Sequence, residues 1–139
     1  MKSRDIALSA FDPVADAIQV DETAADELFA VADLLEGQPP LRRSLSDPSA
    51  SGRDRQALAG RLFEGRLGAA ALSVVTEVAY RPWPSGRTMI DAIERQGVRG
   101  LLRTANERGE LKRVQEELHR FALVIDGSPE LSDALRNRG

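Results

Sequence analysis

Apolar residues return every three to four positions along most of this chain, and the breaks between such stretches fall at glycine, proline and capping residues. Ser3 can cap a first helix whose Ile6, Ala7, Ala10, Phe11, Val14, Ala17 and Ile18 share one stripe. Pro13 lacks an amide hydrogen and crowds the preceding turn, so a kink or break is expected near Phe11 and Asp12. Asp21 opens a second helix with Leu28, Val31, Ala32, Leu34 and Leu35 inward, and Gly37 stops it. After Gln38-Pro39-Pro40, the spacing of Leu41 and Leu45 predicts a short helix that Asp47-Pro48 ends. Ser51 followed three residues later by Asp54 has the form of a capping box, opening a helix over 53–64 with Leu58, Leu62 and Phe63 inward.

A turn at 65–68 leads into 69–80, where Leu72, Val74, Val75, Val78 and Ala79 make an apolar sector too wide for a helix covered on one side only. That helix is therefore either central or half of a binding groove. The segment Arg81-Pro82-Trp83-Pro84-Ser85 is a stiff connector, because each proline fixes its own backbone and restricts the residue before it. Trp83 in it is expected to cover an end of the bundle, and the alternative is a partner contact. Ser85 caps a helix carrying Met89, Ile90, Ile93, Val98, Leu101 and Leu102, with Gly97 and Gly100 inside it and Gly109 as its end or a hinge. Residues 111–125 follow with Leu111, Val114, Leu118, Phe121, Ala122 and Ile125 on one face, and Ser128-Pro129 starts a last short helix with Leu131 and Leu135. About eight helical segments result.

Residues 26–47 align without gaps on 116–137, and seven of the 22 pairs are identical: Glu27 with Glu117, Leu28 with Leu118, Ala32 with Ala122, Gly37 with Gly127, Pro39 with Pro129, Leu41 with Leu131 and Leu45 with Leu135. Two copies are too few for a stacked array, so a duplication within one family fits better. The expected architecture is all-α: a bundle of about six helices over 1–105, then a helical pair over 106–139 that repeats part of it.

Composition agrees with this. Ala (19) and Leu (17) together are twice as numerous as Val, Ile and Thr combined (18), a bias toward helix. The absence of cysteine excludes disulfides and thiolate metal sites, a single His119 leaves no cluster from which a zinc site could be built, and serine–histidine and cysteine–histidine catalysis are nearly excluded. A net charge of -3 argues against general nucleic-acid binding. No apolar run approaches the roughly 20 residues of a membrane span, and the start lacks a signal peptide's apolar core, so a cytoplasmic chain without direct membrane insertion is expected. The charge is uneven: 1–36 hold nine carboxylates against Lys2 and Arg4, whereas the middle is rich in arginine. Solvated helix faces explain this, and so does a polarised docking surface. No phosphate-binding loop occurs and no carboxylate pair sits in an apolar context, so neither a catalytic residue nor a cofactor is expected.

The run 41–65, LRRSLSDPSASGRDRQALAGRLFEG, resembles a stretch of the delta subunit of F-type ATP synthases, also known as the oligomycin-sensitivity-conferring protein. The preceding helix with Glu27, Leu28, Leu34 and Leu35 fits the same family, while RPWPSGRTMIDAIE and LKRVQEELHRFALVID look like its longer actinobacterial form. The similarity covers most of 20–139. The first helix departs from the family's Tyr-Ala-x-Ala-Leu start and contains Pro13. The chain stops after the second copy, which suggests an N-terminal domain without the region that meets the peripheral stalk.

The resemblance implies a non-catalytic stator subunit, peripheral on the plasma membrane, that ties the catalytic head to the b subunit stalk. It also implies a groove between the first and fifth helices that receives the N-terminal helix of an alpha subunit. Choosing residues by face, the groove is expected to use Ile6, Ala10, Val14, Leu72, Val75 and Ala79. A generic helical adaptor is the alternative reading, and an enzyme working through carboxylates or a bound chromophore is a distant third.

Overall fold

The computed structural model describes residues 3–109 together with Arg113, Gln115, Glu116, His119 and Arg120. Its elements are α1 (Ser3–Asp16), α2 (Glu22–Gly37), α3 (Pro39–Leu45), α4 (Gly52–Phe63), α5 (Ala69–Tyr80) and α6 (Gly86–Glu107), and the fold is all-α. The chain divides into two compact units, Met1–Leu101 and Leu102–Gly139. The second copy of the repeat falls in the second unit, and apart from Glu116, His119 and Arg120 it lies outside the described residues.

Three of the caps anticipated from sequence form as hydrogen bonds. Asp21 accepts from the Ala24 amide at 2.8 Å, Ser51 from the Asp54 amide at 3.0 Å, and Ser85 from the Thr88 amide at 3.1 Å. Each occupies a donor that the first helical turn cannot pair internally. Glu27 supplies a long-range counterpart, accepting the amide of Gly68 where α5 begins. At the other end of α6, Gly109 takes φ +73, the left-handed conformation that closes a helix without a side-chain clash.

In the first unit α4 and α5 form a tight antiparallel hairpin. The wide apolar sector of α5 resolves as central: Ala71, Val74, Val75, Val78 and Ala79 are all buried. Around it lie Leu28, Val31 and Leu35 of α2, Leu45 of α3, Ala59 and Phe63 of α4, and Met89, Ile90 and Ile93 of α6.

Three expectations need correction. Helix α1 runs through Pro13 unbroken to Asp16. The carbonyl that Pro13 leaves without an amide belongs to Ser9, an exposed residue whose carbonyl water can serve, so the loss is small. The inward face of α1 is Leu8, Phe11 and Ala15, whereas Ile6 points outward at 52% exposure. Leu34, Val98 and Leu102 are also exposed rather than inward.

The glycines inside α6 do not interrupt it; they are contact points. A Cβ on Gly97 would fall 2.9 Å from the Phe29 ring, and one on Gly100 would fall 2.6 Å from Cγ1 and 3.0 Å from the carbonyl oxygen of Val20. With Arg87 paired to Glu36 near the start of α6, these contacts run α2 antiparallel to α6.

Candidate helix-docking surface

Helix α1 is held from two directions, which leaves a third sector free. Inward, Phe11 is buried and meets Trp83 edge to face, ring centroids 6.0 Å apart, while the Arg81 guanidinium lies 5.2 Å from the Phe11 ring centroid. Trp83 in turn donates its indole N–H to the Val78 carbonyl at 2.8 Å. The tryptophan therefore covers the end of α5 and fixes the middle of α1.

On its flank α1 is clasped by α6. Arg95 grips the Asp12 carboxylate through Nε at 3.0 Å and Nη2 at 2.7 Å, and Gln96 donates to the same carboxylate at 2.8 Å. Arg99 bridges Gln96 Oε1 and Asp16, and Arg4 reaches Asp91 at 2.7 Å. The hydrogen bond from Arg95 holds the Asp12 carboxyl below its ordinary range against partial burial, and Gln96 and Arg99 reinforce this. The three linkages, Arg4–Asp91, Asp12–Arg95 and Asp16–Arg99, run α1 parallel to α6. Much of the charge asymmetry in the sequence is thus neutralised inside the unit. Periodicity alone could not pair Asp12 with Arg95, because the two are 83 positions apart.

The remaining sector of α1 carries Ile6, Ala10 and Pro13, all exposed, with Val14 half-buried at its edge and the exposed Ala17 just past the helix end. At 100° per residue the three exposed helical positions share a narrow stripe. It is apolar, outward-facing and uncovered within the first unit. Of the six residues expected to line the groove, Ile6 and Ala10 belong to this stripe, Val14 borders it, and Leu72 is half-buried on α5. Val75 and Ala79 are core, 1% and 2% exposed, and cannot line an open surface in this conformation. A helix as apolar as α5 presents several faces with the same periodicity, so its sequence does not distinguish edge from centre.

A buried cation was missed altogether. Arg55 is 5% exposed and donates to the carbonyls of Ala79 at 2.9 Å, Tyr80 at 3.0 Å, Asp47 at 2.9 Å and Ala50 at 2.6 Å. The available signal was its position four residues before Ala59 and eight before Phe63, on the inward face of α4.

Among the described residues no group of three or more His, Asp or Glu could hold a metal ion, and no helix is long and apolar enough to cross a membrane. His119 is exposed.

No family model matches the chain. Curated relatives do. It is 44% identical over 111 residues to the ATP synthase subunit delta of Salinispora arenicola, which is 80% of this chain and 40% of that one. Over 113 residues it is 42% identical to the subunit of the same name from Kineococcus radiotolerans, 81% of this chain and 41% of the relative. The counterpart in Streptomyces avermitilis is 37% identical over 128 residues, 91% of this chain and 47% of the relative. The chain spans less than half the length of each. At 37–44% identity over four fifths or more of its own length, the chain is similar to one part of the ATP synthase delta subunits.

Proposed function

We propose that this chain is part of a peripheral-stalk subunit of a proton-translocating F-type ATP synthase. In this reading it is non-catalytic and lies peripherally on the plasma membrane as part of the synthase. It carries load between the catalytic head and the b subunit stalk, and residues 106–139 contribute a second copy of the helix-turn-helix to the same subunit. Such a role needs affinity and stiffness. The α1–α6 ionic clasp and the buried arginine across α4 and α5 provide stiffness, and the outward stripe of α1 provides a place to bind.

The observation that carries the binding proposal is that stripe. Ile6, Ala10 and Pro13 are apolar and exposed on a helix whose other faces are already engaged. Its occupant is the amphipathic N-terminal helix of an alpha subunit, laid along α1 with anchors at helical spacing toward Val14 and Leu72.

Calorimetric titration with a peptide of the first twenty or so residues of the same organism's alpha subunit tests this, a length of five to six helical turns. One-to-one binding with a negative heat-capacity change is expected. Loss of binding in Ile6→Asp, with helical content unchanged, assigns it to the stripe. Equal affinity of Ile6→Asp and the parent chain removes the assignment.

A further inference from the structure

A second apolar surface lies where the C-terminal turns of α2 and α4 meet α3. It is a groove of about 520 Å³ lined chiefly by Leu34, Leu41, Leu62, Phe63 and Arg66, and it shares no residue with the α1 stripe. Leu34 is 43% exposed although its neighbours Val31 and Leu35 are buried, so the fold of the unit does not account for a leucine there. Leu41 and Leu62 are half-buried, with their remaining surface open to the same space.

The charge around this groove has one sign at its wall. Arg66 is the charged residue lining it, and no carboxylate lines it; Glu64 is nearby but outside. Arg43 on α3 lines a separate cavity beside Trp83 and Pro84, and Arg61 on α4 is exposed outside the lining. Arg66 forms no ion pair among the described residues, whereas Arg4, Arg81, Arg87, Arg95 and Arg99 are all paired to carboxylates. An unneutralised cation thus accompanies an open apolar groove.

From this we infer that the groove docks an acidic amphipathic helix of a partner protein. Its apolar anchors, spaced i, i+3 and i+4, seat among Leu34, Leu41 and Leu62, and a carboxylate at its edge meets Arg66. The occupant is helical because the groove is walled by helices, so an extended segment would find no strand edge to join. The inference is independent of the stalk reading, since it uses neither α1 nor the comparisons.

The test is an NMR titration of the isotope-labelled full chain with two designed peptides of about fourteen residues, four helical turns. Both carry leucine at the anchor positions; one has glutamate elsewhere and the other lysine. Saturable shifts at the amides of Leu34, Leu41, Leu62 and Arg66 with the glutamate peptide, weakened by salt, are expected. The lysine peptide should bind at least about tenfold more weakly, and Arg66→Glu should reverse that preference. Leu34→Ser should weaken both while leaving the helical signal intact, because the side chain is already exposed. Equal binding of the two peptides, shifts confined to α1, or no shift at millimolar peptide overturns the proposal. So does self-association in sedimentation that Leu34→Ser abolishes, which would assign the groove to a second copy of the chain.

Discussion

Arg55 Nε donates to the carbonyl oxygen of Ala79 at 2.9 Å, tying the first turn of α4 to the last turn of α5. The same guanidinium reaches Tyr80 and, across the connecting turn, Asp47 and Ala50, so one planar fork serves four backbone carbonyls that would otherwise lose solvent without a partner. A cation at the carbonyl end of α5 also complements the helix dipole. Arg55→Ala is expected to lower stability by about 3 kcal/mol, read as a urea midpoint lower by about 1 M or more. Arg55→Lys should recover less than half, because an ammonium cannot span the fork's geometry.

The pairing of Asp12 with Arg95 makes a pH prediction. The folded carboxyl is held below its usual value of 3.8, so its contribution is present above the unfolded value and is lost as pH falls through the folded one. Glu94 has the opposite sign: burial raises it above 4.5, so its ionised form opposes folding at neutral pH. Asp12→Asn should therefore lower the thermal midpoint at pH 7 and flatten the acid limb below about pH 4. Glu94→Gln should raise the midpoint at pH 7, with the gain vanishing at acid pH where glutamate itself is protonated.

Glycine-to-alanine substitutions separate helix propensity from packing. Gly60 on α4 has nothing within 4 Å of an added Cβ, so Gly60→Ala should stabilise by up to about 1 kcal/mol. At Gly100 the added methyl meets the Val20 side chain and backbone, so Gly100→Ala should destabilise despite the same propensity gain. Gly97→Ala should fall between them, because the Phe29 ring it meets is only half-buried and can turn aside. Chemical denaturation of the three variants gives the order directly.

Ile6 and Val75 should respond in opposite ways to the same aspartate. Val75 is 1% exposed, so Val75→Asp places a carboxyl in the core and should cost at least about 3 kcal/mol, seen as loss of cooperative unfolding by circular dichroism. Ile6→Asp should leave the unfolding curve in place and act on partner binding alone.

The sequence by itself determined the helices. Caps and stops are local chemistry: Asp21, Ser51 and Ser85 sit within three residues of the amides they serve, and Gly109 within three residues of the carbonyl its own amide reaches. Periodicity also located most of the core on α2 and α5, because a stripe of leucines and valines has few places to go. Family resemblance was legible in the same local features, since caps, turns and apolar spacing are what relatives share. The placement of each face was decided only in three dimensions. The spacing along α1 puts Ile6 on the inward stripe and passes over Leu8, whereas the contacts with Trp83, Arg81 and Arg95 turn Leu8, Phe11 and Ala15 inward. Gly97 and Gly100 read as weak helix positions until Phe29 and Val20 came to rest on them. Arg55 read as one more surface arginine until the ends of two helices closed over it. In each case the deciding partner is tens of residues away, and no local pattern encodes a contact that only the packing of helices creates.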